Sequence, residues 1–424
     1  MSENTLRAVL WDQMHYMLRR YNDRMTHIAL TYEGEIDPAL LKGSLQLLLN
    51  ASPVLHSRFV PSPVRPFWRV TDCSAAELLS VYDTETPDED AMEFLLREIP
   101  PDSPGQLRMG LFRNGRHQVL ALLTNHMCMD ASDTLYFLRT LCRNYDALAG
   151  YGSLVPIRTG SRSHAAIYAD LSPADKLRTQ LFFRYRGKIR SSPLFPQTPS
   201  AEDDRRRIVY RVFSEELSKL VADYAARSGA TRHEVLTAAT LAVLYDMCSV
   251  ASDRPLAVSC AVNLRRHRRD HGEATGLTNH VAWMRCRVGG YHGDFSALLE
   301  EVKSSMQSAK NDPYLGLYSL PLLNLGCSVL PIVLTEPIAA RVYSNPPLGI
   351  SNIGRLSEKE YSFRTARLTG GHLTGAVKRK PAFFLTVCYF DRHFLLSDAF
   401  FGSEEDAATV ERFYDKLEEL LFRL

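Results

Sequence analysis

The sequence predicts an α/β protein built from two α+β two-layer sandwiches and a connector. Short apolar runs that suit strands alternate loosely with helical patterns in both halves of the chain, which favours packed layers over a single barrel. Between the halves the periodicity fades and turn-forming residues accumulate. We therefore predict a first domain at residues 1–158, a connector at 159–206 and a second domain at 207–424.

Length and composition indicate a folded protein with more than one domain. A chain of 424 residues exceeds one ordinary core, and 45% hydrophobic with 23% charged residues is typical of globular proteins. The net charge of +2 gives no field that would attract nucleic acid or an anionic membrane. Eight cysteines form no Cys-x-x-Cys pair, and no secretory signal opens the sequence. We expect a cytoplasmic monomer that binds small molecules or a protein surface.

Local signals define elements in the first half. Alternating apolar residues indicate strands, and Asp37 followed by Pro38 is typical of a helix start. The predicted elements are strands at 25–32, 53–59 and 66–70, and helices at 37–50 and 132–150.

The second half carries equally clear helix caps. Ser214 and Ser403 precede amphipathic runs, and Thr231 with Glu234 forms a capping box. The predicted elements are helices at 175–186, 214–228, 231–244, 295–311 and from 403 onward, and strands at 207–213, 256–262, 280–287, 383–389 and 393–398.

The longest apolar tract spans residues 315–335. Pro321 and Pro331 interrupt it, with Gly326 between them, so its composition argues against a membrane span. Two interpretations stay open. The tract is a core segment, the commoner case, or a surface-hydrophobic segment near the mouth of a binding site.

The segment after the apolar run 119–123 carries the clearest chemical signal. His126 follows the end of this predicted strand, and Asp130 lies four residues further on, just before a helix. A histidine in this position can transfer protons, since its ordinary pKa lies near neutrality. The alternative is a structural histidine bonded to the backbone. Asp130 either orients His126 or caps the helix and meets an arginine.

Four stretches resemble a known superfamily. They are residues 53–59, 125–130, 229–236 and 258–265, and they occur in the same order as in that superfamily. On these motifs the chain resembles the chloramphenicol acetyltransferase-like superfamily, which includes condensation domains of nonribosomal peptide synthetases, polyketide-associated acyltransferases and alcohol acyltransferases. The stretch 125–130 is similar to the family's His-His-x-x-x-Asp motif, with Asn125 in place of the first histidine.

The resemblance implies a fold and a reaction. Two similar subdomains would form a pseudo-dimer around a central tunnel, and His126 would be the general base. The reaction would be acyl transfer in secondary metabolism, from acyl-CoA or the phosphopantetheine thioester of an acyl or peptidyl carrier protein to a hydroxyl or amine, with no permanently bound cofactor. Asp130 is a further catalytic candidate, and the resemblance pairs it with Arg265 as structural support of the site. Asn125 would support the site as well.

Other candidate residues carry open alternatives. Asn352, in a segment similar to the family's Ser-Asn-x-Gly, would donate to an oxyanion, or the segment is an ordinary turn. A basic run would bind the phosphates of coenzyme A or phosphopantetheine, or it is a solvated loop. Its candidate residues are Arg266, Arg268 and Arg269.

Two further chemistries are disfavoured. Cys128 lies close to His126, but neighbouring residues on an extended loop face opposite ways, which argues against a thiol nucleophile. His267 and His271 have the spacing of a helical metal pair, yet no third ligand is evident, so we predict no metal site.

A non-catalytic condensation-like module for docking or binding is the competing hypothesis. Asn125 and the weak likeness of residues 399–403 to the family's Asp-Phe-Gly-Trp-Gly segment both favour it.

Overall fold

The computed structural model describes residues 4–181, 205–268, 276–342, 346–380 and 382–424. The first part of the chain contains β1 (Thr5–Arg7), α1 (Leu10–Met17), β2 (Met25–Gly34), α2 (Pro38–Ala51), β3 (Ser57–Val60), β4 (Phe67–Val70), α3 (Ala75–Leu78), β5 (Leu79–Asp83), α4 (Pro87–Leu95), β6 (Leu107–Asn114), β7 (His117–Asn125), α5 (Ala131–Leu148) and α6 (Pro173–Leu181). The second part contains β8 (Arg206–Val212), α7 (Glu215–Arg227), α8 (Arg232–Met247), β9 (Leu256–Asn263), β10 (Val281–Val288), α9 (Phe295–Lys310), α10 (Leu320–Val329), α11 (Ile332–Val342), β11 (Leu348–Leu356), α12 (Glu358–Tyr361), β12 (Ala366–Thr374), β13 (Phe383–Phe390), β14 (His393–Phe401) and α13 (Glu404–Phe422).

The first sheet has the strand order β12-β2-β7-β6-β5. Helices cover both of its faces, because alternate residues of β7 pack into different cores. Leu120 and Leu122 share a core with α2 and α5, whereas Ala121 and Leu123 share one with α4. Burial on both faces explains why residues 119–123 form a continuous apolar run. A small sheet of order β1-β4-β3 completes this lobe.

The second sheet has the order β10-β9-β11-β13-β14-β8. Its core is shared with α7, α8, α9 and α13, which cover the sheet. β11 runs parallel to both of its neighbours, and the other pairs are antiparallel. The sheet and its helices form the second lobe.

One strand crosses from the second half of the chain into the first lobe. β12 belongs to the second half of the sequence, yet it pairs antiparallel with β2 at the edge of the first sheet. Residues 207–424 are therefore not confined to the second lobe, because they also contribute one strand to the sheet of the first lobe. The domain boundaries given above remain predictions, with this crossover as a structural qualification.

Most predicted elements are present, with local differences. The capping box at Thr231 is confirmed, and the helix expected from Ser403 begins with a capping box of Ser403 and Asp406. Residues 53–59, expected to be extended, begin with a 3₁₀ turn over Pro53–His56 before β3, because Pro53 suits a first helical position. The predicted helix at 175–186 is α6 as far as Leu181, and its remainder lies outside the described residues.

The interpretation of residues 315–335 as a core segment holds for Leu315, Leu317 and Leu320 but was wrong for most of the remaining aliphatic residues. Part of the tract is buried, as Leu320 is, but α10 and α11 expose most of their large aliphatic side chains. Two short helices that pack on one side only leave the opposite side uncovered. In the described part of the chain, none of the helices has the length and apolarity of a membrane span.

Candidate active site

The loop between β7 and α5 carries His126. Asn125 ends β7 fully buried, and its Oδ1 accepts the Met127 backbone N–H at 3.1 Å while its Nδ2 donates to Gln106 Oε1 at 2.8 Å. The His126 backbone N–H donates to the Arg24 carbonyl at 2.7 Å. These bonds fix the turn that holds the imidazole. They fit a supporting role for Asn125, which stays a prediction.

Hydrogen bonding defines the tautomer of His126. Its Nδ1 lies 3.0 Å from the Met129 carbonyl oxygen. Because a carbonyl can only accept, Nδ1 carries the proton and Nε2 carries a lone pair. Burial lowers the pKa of His126 below its ordinary value, partly opposed by the negative charge of Asp130. The ring is therefore neutral at neutral pH, as a general base requires.

A cavity of about 200 Å³ lies between the two lobes, and His126 is part of its wall. The first lobe also contributes α1 and Asp130, and the second contributes residues of β9, β10, β11 and β13. Side chains that face this cavity include Trp11, His15, Asn263, Trp283, Asn352, Lys378 and Phe384. The wall thus combines apolar rings with a few polar groups, as small-molecule sites do.

Asp130 connects the lobes. It is fully buried and caps α5 by accepting the Asp133 N–H at 3.0 Å. Its Oδ2 accepts from Arg265 Nη1 at 2.7 Å and from the His280 N–H at 2.9 Å. Arg265 Nη2 donates to Asp133 Oδ2 at 2.8 Å. The structure thus brings Asp130 and Arg265 together, and these contacts favour the supporting role over orientation of His126, whose Nδ1 is bonded to Met129.

The buried Asp133 carboxyl group at this junction has a raised pKa. Burial, together with the neighbouring charge of Asp130, raises the pKa of Asp133 to about 7. Arg265 opposes that rise by stabilising the ionised form. The guanidinium therefore holds two buried acids on one helix start, which ties the second lobe to α5.

Asn352 lies on β11 at a break in register. Its Oδ1 accepts the Gly354 N–H at 3.0 Å, and Gly354 adopts a φ of +100° that favours glycine. The strand pairing with β13 shifts between these two residues, which indicates a bulge. The bulge explains the turn-like sequence. Asn352 lines the same cavity as His126, and its amide NH₂ remains as a donor.

The described part of the basic run, Arg266 to Arg268, does not contribute to the cavity wall. Arg266 is exposed and donates to the Lys310 carbonyl at 3.2 Å. His267 lies between Arg266 and Arg268, and its Nε2 donates to the Leu315 carbonyl at 2.8 Å. Neither Arg266 nor Arg268 is among the described residues that line the cavity. Arg269 and His271 lie outside the described residues.

Cys128 is not among the described residues that line the cavity. It is fully buried, and its thiol donates to the Val54 carbonyl at 3.8 Å. Burial strongly raises the pKa of this thiol. A nucleophilic cysteine needs a thiolate, so these surroundings argue against that alternative.

Sequence reasoning missed two groups in the cavity. The imidazole of His15, on α1, stacks on His126. Lys378 follows β12, and burial lowers the pKa of its ammonium group to about 8. No local pattern marks either residue, because α1 and the segment after β12 reach the cavity only through tertiary packing.

Comparisons with known proteins agree on one family. A family model described as the condensation domain matches residues 13–324. The first condensation domain of the CDA synthetase is similar in structure, with a TM-score of 0.75 and 17% identity, covering 99% of this chain and 97% of that chain. Polyketide synthase associated protein 5 from Mycobacterium tuberculosis has a TM-score of 0.68 and 14% identity, covering 96% of both chains.

A further similar structure is a mutant starter condensation domain of rhizomide synthetase in complex with C8-CoA. Its TM-score is 0.68 at 15% identity, covering 99% of this chain and 95% of that chain. No curated protein sequence matches this chain. Likeness at such identities establishes the fold, and it confirms the predicted α/β class with two chloramphenicol acetyltransferase-like lobes.

Proposed function

Because this chain belongs to the condensation-domain family, whose members form amide or ester bonds, we propose that it is a thioester-dependent acyltransferase with His126 as general base. The donor is acyl-CoA or an acyl or peptidyl carrier protein, and the acceptor is a hydroxyl or an amine. One observation carries the proposal: the Nδ1 of His126 is bonded to Met129, which leaves a neutral Nε2 on a ring that lines the cavity.

The reaction follows from this tautomer. Nε2 takes the acceptor's proton while the acceptor oxygen or nitrogen attacks the thioester carbonyl carbon. The resulting tetrahedral oxyanion collapses, the carbon–sulfur bond breaks, and the imidazolium returns the proton to the departing thiolate. General base catalysis of this kind is worth about 10²–10⁴-fold in rate. In this proposal the Asn352 NH₂ group donates to the oxyanion.

Asp130 and Arg265 hold the two halves of the site in a fixed position relative to each other. Since His126 and Asp130 are on the first lobe and Arg265 is on the second, the ion pair sets the position of the second-lobe wall relative to the imidazole. We assign both residues a structural role in the site, and Asn125 the same role within the loop.

The phosphates of the thioester donor would bind to the basic run. Arg266 and Arg268 follow Asn263, which lines the cavity, within five residues of the chain. In this proposal they bind the phosphates of coenzyme A or of a phosphopantetheine arm, with Arg269 as a third contact. Replacing Arg266 and Arg268 with Gln should raise KM for acyl-CoA and leave KM for an acyl-pantetheine without phosphates unchanged.

The proposal includes the remaining expectations. A tunnel would connect the donor and acceptor sides of the cavity. The protein would act in the cytoplasm, as a monomer, in secondary metabolism and without a permanently bound cofactor.

Thiol release tests the function directly. Purified protein is incubated with acyl-CoA of several chain lengths and a panel of alcohols and amines, and free thiol and acylated product are measured. His126→Ala should abolish turnover while the protein stays folded. His393→Ala is the matched control, because the Nδ1 of His393 also donates to a backbone carbonyl, that of Phe213 at 3.0 Å, and His393 is not among the described residues that line the cavity.

A non-catalytic docking module is the second candidate. The substitution at Asn125 favours it, because this buried amide is committed to Gln106 and Met127. Thiol release at the background rate in both wild type and His126→Ala, with a synthetase partner retained by both, would support the module and reject the transferase.

A further inference from the structure

Helices α10 and α11 expose a group of large aliphatic side chains to solvent. Its members are large aliphatic residues that are 41% to 60% exposed. We call this the aliphatic face, and it consists of Val64, Leu322, Leu323, Leu325, Val329, Leu330, Val333, Leu334 and Ile338. Soluble monomers rarely expose so many neighbouring aliphatic side chains unless the surface binds something.

The aliphatic face lies behind the wall of the cavity. Both α10 and α11 pack against α1, the helix that carries Trp11 and His15. The Val333 N–H donates to the Pro63 carbonyl at 3.4 Å, which brings Val64 beside α11. The face is therefore one surface built from distant parts of the chain, and α1 separates it from the reaction site.

Four arginines are neighbours of the aliphatic face, two through hydrogen bonds and two through their position in the chain. Arg7 donates to the Ser328 carbonyl at 3.3 Å, and Arg20 donates to the Ala340 carbonyl at 2.8 Å, so both reach the helices of the face. Arg65 follows Val64, Arg341 is on α11, and both are exposed.

Helices α10 and α11 carry almost no acidic residues. Between residues 320 and 342 the sequence has one carboxylate, Glu336, and Arg19 pairs with it at 2.6 Å. The net charge of +2 for the whole chain thus conceals a local positive excess. Such an excess attracts an anionic surface within about 8 Å at physiological ionic strength.

The composition of the face indicates what covers it. Protein interfaces are enriched in Trp and Tyr, whereas Leu and Val are under-represented among residues that dominate protein binding. The aliphatic face contains only Leu, Val and Ile. Aliphatic side chains with a rim of arginines match the acyl chains and the anionic headgroups of a lipid surface.

We propose that the aliphatic face binds the surface of an anionic bilayer. The leucines and valines of α10 and α11 enter the boundary between headgroups and acyl chains, and the arginines contact the phosphates. The helices lie in the plane of the surface. This inference is independent of the proposed transferase reaction.

Cosedimentation with vesicles tests the proposal. The full-length protein is mixed with phosphatidylcholine vesicles, with or without phosphatidylglycerol, and bound protein is measured after centrifugation. Wild type should bind the anionic vesicles and less so at high salt. Leu325→Glu combined with Val329→Glu should lower the partition coefficient by more than about tenfold, because two exposed apolar anchors are replaced by anions.

A matched control separates this surface from general hydrophobicity. Leu220 is a helical leucine on the second lobe, 37% exposed. Leu220→Glu should leave vesicle binding unchanged. Replacing Arg7, Arg65 or Arg341 with Gln should lower the partition coefficient roughly fivefold each, since an arginine near an anionic surface contributes about 1 kcal/mol.

Three results would overturn the proposal. Wild type could fail to sediment with anionic vesicles. The Leu325→Glu and Val329→Glu protein could bind them as wild type does, with circular dichroism showing both folded. Alternatively, sedimentation equilibrium could show a dimer, or binding of a purified acidic carrier protein, that the double variant abolishes while no vesicle binding occurs. The face would then serve a protein contact.

Discussion

The imidazole rings of His15 and His126 stack at 4.8 Å between centroids, with 28° between their planes. Burial lowers the pKa of His15 well below its ordinary value, and the charge that His126 would carry lowers it further. Both rings are therefore neutral in the folded protein. His15 thus covers one face of His126 without adding charge, which restricts the ring to one orientation.

Removing this stacking partner should slow the reaction. His15→Ala leaves His126 free to tilt, and misplacement of a catalytic group costs about ten- to a hundredfold in rate. His15→Phe restores an aromatic plate and should recover most of kcat. Single-turnover rates at saturating donor measure both variants. If His15→Phe were as slow as His15→Ala, stacking would not explain the role of His15.

The pH profile should report the neutral state of His126. Activity needs the unprotonated ring, and burial lowers its pKa below 6.5, so kcat should stay constant as the pH falls to about 6.5 and decline only at lower pH. Lys378 contributes to that lowering. Lys378→Met should therefore shift the acid limb to higher pH, whereas Lys378→Arg, which keeps the charge, should not. An unshifted limb in Lys378→Met would contradict this electrostatic coupling.

Breaking the junction between the lobes should cost stability as well as rate. Asp130→Ala leaves Arg265 without one of its two carboxylates, and removing one partner of a buried pair costs about 3–5 kcal/mol. Urea unfolding measures the loss. Asp83→Ala is the control, because Asp83 forms an exposed pair with Arg113 at 2.8 Å and should barely change the midpoint. An inactive Asp130→Ala protein with the wild-type midpoint would assign Asp130 to the chemistry instead.

Substitutions at Asn352 can separate the role of its NH₂ group as a hydrogen-bond donor from that of its Oδ1 as a hydrogen-bond acceptor. Asn352→Asp keeps an oxygen for the Gly354 N–H but removes the NH₂ group that faces the oxyanion in our proposal. Loss of one oxyanion donor lowers kcat by about 10²–10³-fold with little change in KM. Asn352→Asp and Asn352→Ala should therefore be equally slow. Wild-type kcat in Asn352→Asp would show that the residue serves only the bulge.

Local signals were enough to predict most of the elements. The capping box at Thr231, the amphipathic pattern after Ser403 and the alternation in β2 and β8 depend on neighbouring residues, and the helices and strands that they predict are present. The crossover of β12 was missed because its partner in β2 is more than 300 residues away, as in the pairing of Leu373 with Ile28. Register over such a distance leaves no local pattern.

The candidate site shows the same limit. His126 could be found because it follows a buried strand and precedes a helix cap. His15 and Lys378 could not, since tertiary packing alone brings α1 and the segment after β12 to the cavity. The aliphatic face was ambiguous for a related reason. An apolar sequence of this length fits a core as well as a surface, and only the packing of α10 and α11 against α1 distinguishes the two.

The central claim is that His126 is a neutral base with its proton on Nδ1. Nitrogen-15 NMR of histidine-labelled protein, with His126→Gln for assignment, measures both ring nitrogens directly as the pH is varied. We predict a protonated Nδ1 and an unprotonated Nε2 at neutral pH, with a titration midpoint below 6.5. A proton on Nε2 at neutral pH, or a midpoint above 6.5, would contradict the assignment of His126 as the base.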